Sequence, residues 1–247
     1  MKSRWKKITS GNLVKEAVYS APLPRDNPQQ RAAKHKITTA AQKRLNFRTA
    51  QGKLEFKLAA NFTWKDYFIT LTYKEGQEPK SRKEVKTHKA QYMRKLRTQR
   101  KRRGQEIKWI CSIENRHGEG RYHLHAVISA ADPYLDIDEI KSLWPYGHVE
   151  VSCLFDSEHK FNTWSDIARY MTKERPEEGK DCTPVGAQIY SCSRNLSSPK
   201  TETGWIENSA PLDAPPGAIV LEQEEVINEF GRFKYIKYLT EPLFRRE

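Results

Sequence analysis

Hydrophobic and polar positions change their period several times along the chain, and each change marks an element. Residues 66–73, Asp-Tyr-Phe-Ile-Thr-Leu-Thr-Tyr, are dense in aromatic and β-branched side chains and stop at Lys-Glu-Gly-Gln-Glu-Pro; such a run predicts a strand. From Ser81, which makes a capping-box pattern with Glu84, the spacing becomes helical. Val85, Tyr92 and Leu96 form one stripe until Gly104 ends it. Two more strand patterns, 107–114 and 121–129, flank the polar loop Asn-Arg-His-Gly-Glu-Gly and predict an antiparallel hairpin. Residues 135–144 predict a short helix and 147–154 a strand, and Thr163 with Asp166 opens a further helix that Pro176 stops. From there to about Gly217 the pattern predicts mainly loop, with strand character at 187–193, and 218–239 predicts strands folded around Asn-Glu-Phe-Gly. Residues 1–60 are basic, and Ile37, Ala41, Leu45, Leu54 and Leu58 are spaced roughly as on a helix. The expected organisation is a helical N-terminal arm (1–60), a core (61–200) and a strand-containing C-terminal extension (201–247). The core order suits an α+β fold with a mainly antiparallel sheet and flanking helices.

Within the second strand of the hairpin, alternation puts His123 and His125 on one face while Leu124 points into the opposite layer. With a six-residue loop, Glu114 pairs with Arg121 and Ser112 with His123, so Glu114 joins the histidines' face; a slip of one residue would turn it away. Two imidazoles and a carboxylate on one face make three ligands with open positions beside them. That mixed nitrogen and oxygen set suits Mn²⁺ or Mg²⁺, with zinc as the alternative. The competing reading is a pair of partly buried polar histidines.

The helix after Thr163 carries Tyr170 and Lys173, three apart and therefore neighbours on its surface, with Ile167 and Met171 toward the core. A cation and a metal both favour phenolate over phenol, which suits a tyrosine nucleophile, and a lysine can stabilise the charge of a phosphorane-like transition state. An ordinary amphipathic helix with an edge tyrosine explains the same spacing. Tyr67, Tyr73, Tyr122, Tyr146 and Tyr190 are rivals, although strand alternation gives most of them packing roles.

Charge narrows the partner. The 247 residues carry a formal net charge of +13, which points to a polyanion, most directly a nucleic acid. The helix ending Gln-Arg-Lys-Arg-Arg offers Arg97, Arg100, Lys101, Arg102 and Arg103 as phosphate contacts, and Arg121 opens the histidine strand. Trp64, Trp109, Trp144 and Trp164 could stack on unpaired bases if exposed. No apolar run is long enough to span a membrane and the N-terminus lacks a signal-peptide core, so a cytoplasmic protein is expected. Cys111, Cys153, Cys182 and Cys192 show no paired spacing and read as small hydrophobes in a reducing compartment.

Taken in order, Phe68-Ile-Thr-Leu-Thr-Tyr73, His123-Leu-His125 and Tyr170-Met-Thr-Lys173 resemble the three motifs of the HUH endonucleases that start rolling-circle replication of single-stranded phages and plasmids. The branch containing filamentous-phage-like replication proteins is the nearest, and Asn61-Phe62, Ser193-Arg-Asn-Leu196 and Pro199 also look like it. The resemblance spans about residues 40–200. It implies an RRM-like fold, His123 and His125 as metal ligands, Glu114 as the more variable third, Tyr170 as nucleophile and Lys173 as helper. It further implies a 5′-phosphotyrosine intermediate, a free 3′-hydroxyl for a host polymerase, and a single-stranded DNA origin in a bacterial host cell. A single tyrosine in the third motif implies that a second subunit or water resolves the intermediate. No Gly-rich phosphate loop is present, so unwinding is expected to need a separate helicase. The alternatives are a noncatalytic single-stranded nucleic-acid-binding protein and a related HUH transposase or relaxase. Chain order opposes a relaxase, whose histidine cluster usually follows its tyrosine.

Overall fold

The computed structural model describes residues 2–20, 40–115, 121–131, 133–155, 161–172, 188–207, 211–228 and 231–243. In chain order its elements are β1 (Lys2–Ser10), β2 (Leu13–Tyr19), α1 (Ala40–Ala59), β3 (Tyr67–Thr72), α2 (Arg82–Arg102), β4 (Trp109–Asn115), β5 (Tyr122–Ile128), α3 (Pro133–Ser142), β6 (Val149–Cys153), α4 (Trp164–Met171), β7 (Tyr190–Cys192), β8 (Lys200–Glu207), β9 (Ile219–Asn228) and β10 (Gly231–Leu239). These form an α+β fold with two antiparallel sheets. The chain divides into a unit of residues 61–197 and a unit that joins 1–60 to 198–247. Among the described residues no helix is long and apolar enough to cross a membrane.

In the 61–197 unit the sheet order is β6-β3-β5-β4-β7, and every pair is antiparallel. Alternation sorts its side chains into two layers. One layer, with Tyr67, Ile69, Leu71, Leu124, Ala126, Cys111 and Ile113, packs against Val85, Tyr92, Met93 and Leu96 of α2 and Ile140 of α3. Each such aliphatic side chain contributes about 1.5–3 kcal/mol by leaving water. Helix α2 starts where Ser81 caps the amide of Glu84, and the Glu84 carboxylate accepts from the backbone N–H of Lys80. A side chain at Gly147 would collide with the backbone of Thr72 and Lys74, so β6 can enter alongside β3 only with glycine there.

The second unit corrects the expected helical arm. Residues 2–19 are a strand pair rather than a helix, turning at Gly11, whose φ is +57°; helix begins only at Ala40. Its sheet runs β8-β1-β2-β10-β9, so strands from the two ends of the chain interleave. Strand β8, in a region expected to be loop, pairs along β1 from Lys200 opposite Thr9 to Glu207 opposite Lys2. Its pattern is hard to read because it is an edge strand with most of its side chains exposed. Val14, Ile236 and Tyr238 form this unit's small core under Leu212, Ala214 and Ala218.

A second correction concerns Arg100. It lies on the buried stripe of α2 with no exposed surface, ion-paired to Asp136 of α3 and donating to the carbonyl of Ser129 at 3.2 Å. It therefore cannot be a phosphate contact. Charges so far from water are held by their partner, and burial raises the Asp136 carboxyl's pKa even beside the guanidinium.

Candidate active site

The face of the 61–197 sheet away from α2 carries the candidate chemistry. Across it, Thr70 of β3, His125 of β5, Ser112 of β4 and Tyr190 of β7 stand in one row, with Thr72, His123 and Glu114 in the next. The hairpin register differs from the expected one: Glu114 lies opposite His123 and Ser112 opposite His125. The pairing has shifted by two residues, and an even shift keeps every side chain on its face. Glu114 therefore stays with the histidines, and by moving along it comes diagonal to His125.

That diagonal is closed by a hydrogen bond of 2.7 Å between His125 Nε2 and Glu114 Oε2. On the other side of the ring, His125 Nδ1 lies 3.3 Å from Thr70 Oγ1. A carboxylate can only accept, so Nε2 carries the hydrogen, and Nδ1 of the neutral ring then accepts from the hydroxyl of Thr70. A hydroxyl can also accept. Thr70 can thus hold the ring in the opposite tautomer, with Nε2 bare and able to ligate. His125 is buried, with Phe68 stacked beside it at 5.8 Å between ring centroids.

Helix α4 supplies the tyrosine. Thr163 and Asp166 form a complete capping box, and Trp164, Ile167, Ala168 and Met171 bury one side of the helix. Tyr170 is half-buried. Its ring lies edge-on to His125 at 4.9 Å and edge-on to both Phe68 and Phe161 at 5.5 Å. Two phenylalanines and an imidazole therefore surround a single phenol. Lys173 lies outside the described residues.

The donor chemistry agrees with a metal only in part. Imidazole and carboxylate already meet at Glu114 and His125, and Ser112, directly opposite His125, has a buried hydroxyl with no hydrogen-bond partner among the described residues. His123 shares the face through its register opposite Glu114. Even so, among the described residues no three His, Cys, Asp or Glu side chains are grouped closely enough to hold an ion.

The basic candidates are placed differently from the histidines. Arg97, Lys101 and Arg102 are exposed on α2, which packs on the opposite layer of the sheet, so α2 does not border the His125 face. Arg103 is engaged by Glu139 through two hydrogen bonds of 3.1 and 3.2 Å. Arg121 is exposed two residues before His123. Among the tryptophans, Trp144 and Trp164 are buried. Sequence reading missed Phe68 and Phe161 as neighbours of Tyr170 and Thr70 as the partner of His125. Only the strand parity of Phe68 and Thr70, the same as that of the histidines once β3 and β5 pair, could have pointed to them.

Comparison with known proteins places a match on this part of the chain. Residues 66–175 fit the family model of the replication-associated proteins of the ORF2 and gene II protein type, a span that includes β3, the hairpin, α4 and all three motifs. The match supports a rolling-circle replication initiator identity. No curated protein and no solved structure matches the chain.

Proposed function

We propose that this chain, whose residues 66–175 carry the replication-initiator match, is an HUH-type, metal-dependent nickase and strand transferase acting on a single-stranded DNA origin. The observation that carries the reading is the contact of the Tyr170 ring with His125, itself bound to Glu114. In this reading the β6-β3-β5-β4-β7 sheet with α2, α3 and α4 is the RRM-like catalytic core.

Tyr170 attacks phosphorus in line; a P–O bond to the tyrosine forms, the P–O3′ bond breaks, and the electron pair leaves with O3′. The phenol proton is lost as the new bond forms, and rejoining runs the same exchange in reverse from a 3′-hydroxyl. Phe68 and Phe161 confine the Tyr170 ring before DNA arrives, so less rotational freedom is lost on reaching the attacking geometry. Glu114, His125 and His123 would hold a divalent ion, Mn²⁺ or Mg²⁺. When bound, it supplies Lewis acidity at a non-bridging phosphate oxygen. Thr70 keeps the imidazole of His125 oriented whichever nitrogen bears hydrogen. Lys173 is assigned to the charge on the pentavalent phosphorus, and Arg121 to the phosphate backbone beside the site. Extension from the 3′-hydroxyl and duplex opening fall to a host polymerase and helicase in the cytoplasm of a bacterial host.

The test incubates the protein with labelled single-stranded oligonucleotides tiling its replicon, with Mn²⁺, Mg²⁺ or chelator. An adduct that survives denaturation, needs metal and disappears in Tyr170→Phe is the expected result. No adduct across all sequences and metals overturns the proposal, and so does full biological activity of Tyr170→Phe, which would make the chain a noncatalytic binder.

A further inference from the structure

The sheet of the second unit has one face it does not need for its core. Its registers align Trp205 of β8, Arg4 of β1, Tyr19 of β2, Phe233 of β10 and Val226 of β9 in a single row. The next row on the same face is Thr203, Lys6, Ala17, Tyr235 and Glu224, and Lys15 stands in the one after. At the far end of this face Ser10, Leu13 and Leu239 are buried, and α1 is joined there through Ser10 to the Phe56 carbonyl and Lys237 to Glu55. The near end is open: Trp205 keeps 52% of its surface exposed and Phe233 38%. Core packing belongs to the opposite face, with Val14, Val18, Ile236 and Tyr238.

Aromatic and cationic side chains alternate on the open end. The Arg4 guanidinium sits 5.1 Å from the Trp205 ring centre and the Lys15 ammonium 4.2 Å from that of Tyr235. Flat rings with a free face offer stacking to any base, and cations between them meet the phosphates that connect those bases. Acidic groups mark one border: Glu222 and Glu224 lie on β9, and the hydroxyl of Tyr235 donates to Glu222 at 3.5 Å. The β8-β1-β2-β10 side therefore carries the positive charge. From Trp205 to Phe233 is three strand spacings, about 14 Å, room for a few unpaired nucleotides.

We infer that this face, through Trp205, Phe233 and Tyr235 with Arg4, Lys6 and Lys15, is a second binding surface for single-stranded nucleic acid, carried by the unit that lacks the tyrosine site. A protein partner would have to desolvate Arg4 and Lys6 within an apolar row, whereas a nucleic acid pairs both with phosphate. The inference rests on the proposed function only for its choice of single-stranded DNA as ligand.

Full-length protein is titrated into fluorescein-labelled dT20 in chelator, which prevents cleavage, and anisotropy reads binding at several salt concentrations. Trp205→Ala and Phe233→Ala should each raise Kd by about tenfold, the scale for losing one stacked base, with unchanged circular dichroism. Trp205→Phe should restore most of the affinity. Arg4→Gln with Lys6→Gln should lower the slope of log Kd against log salt by about 1.4, from two lost phosphate contacts. Unchanged affinity in the aromatic variants overturns the inference, as does a change in sedimentation with DNA binding intact, which would assign the face to self-association. Should Trp205→Ala fail to fold, the salt slope of the Arg4 and Lys6 variant decides, and an unchanged slope overturns it. Because binding is read without cleavage, the absence of a covalent adduct would sink the nickase reading and leave this test standing.

Discussion

His125 Nε2 and Glu114 Oε2 meet at 2.7 Å across neighbouring strands, although the two residues lie diagonal rather than opposite in the ladder. The contact joins two motif side chains that strand parity could place on one face and that backbone register had to bring into reach.

If this pair is the heart of the site, Glu114→Ala should lower Mn²⁺-dependent adduct formation by about 10–100-fold, and His125→Ala should lower it further. Glu114→Gln retains an acceptor for Nε2–H but not the charge, so it should keep the thermal midpoint of the parent while losing metal response. Adduct yield against Mn²⁺ concentration checks this; wild-type yields in all three variants would remove the pair from the mechanism.

Thr70 acts through His125. Thr70→Val preserves shape and removes the hydroxyl 3.3 Å from Nδ1, so the Mn²⁺ concentration for half-maximal adduct should rise by about tenfold. Thr70→Ser should restore it, which loss of packing alone would not explain.

Arg100 and Asp136 stabilise the core only as a pair. Arg100→Met leaves a buried carboxylate alone and should cost about 3–5 kcal/mol, whereas adding Asp136→Leu should recover most of that loss. Urea denaturation of the two variants measures the difference.

Cysteine labelling reports burial directly. Burial pushes the Cys111 thiol up to about 12, while Cys153 is exposed. Because the thiolate is the nucleophile, a raised thiol pKa leaves Cys111 about one part in ten thousand ionised at pH 8. Iodoacetamide should therefore mark Cys153 in the native protein and reach Cys111 only after denaturation, as peptide mass spectrometry would show.

Strand and helix boundaries in the 61–197 unit were legible because local periodicity and caps express them: β3, the β4–β5 hairpin, α2 and the Thr163 capping box all follow from neighbours in sequence. The shared face of Glu114, His123 and His125 was legible for the same reason, since parity survives a register shift of two. The β1–β2 pair was not. Basic residues and scattered aliphatics at 2–19 fit neither period cleanly, and these strands gain their partners from β8 and β10 at the other end of the chain.

What the sequence by itself determined is therefore the inventory and its facing: which residues could ligate, attack or carry charge, and which of them share a side. Tertiary structure decided the rest. It put Arg100 in the core against Asp136, set the exposed basic side chains of α2 on the sheet face opposite His125, and brought the ring of Tyr170 to within 4.9 Å of that histidine. The physical reason is one of range. Facing repeats every two or few residues and is local, whereas burial and ring contact depend on elements that meet only when distant segments pack.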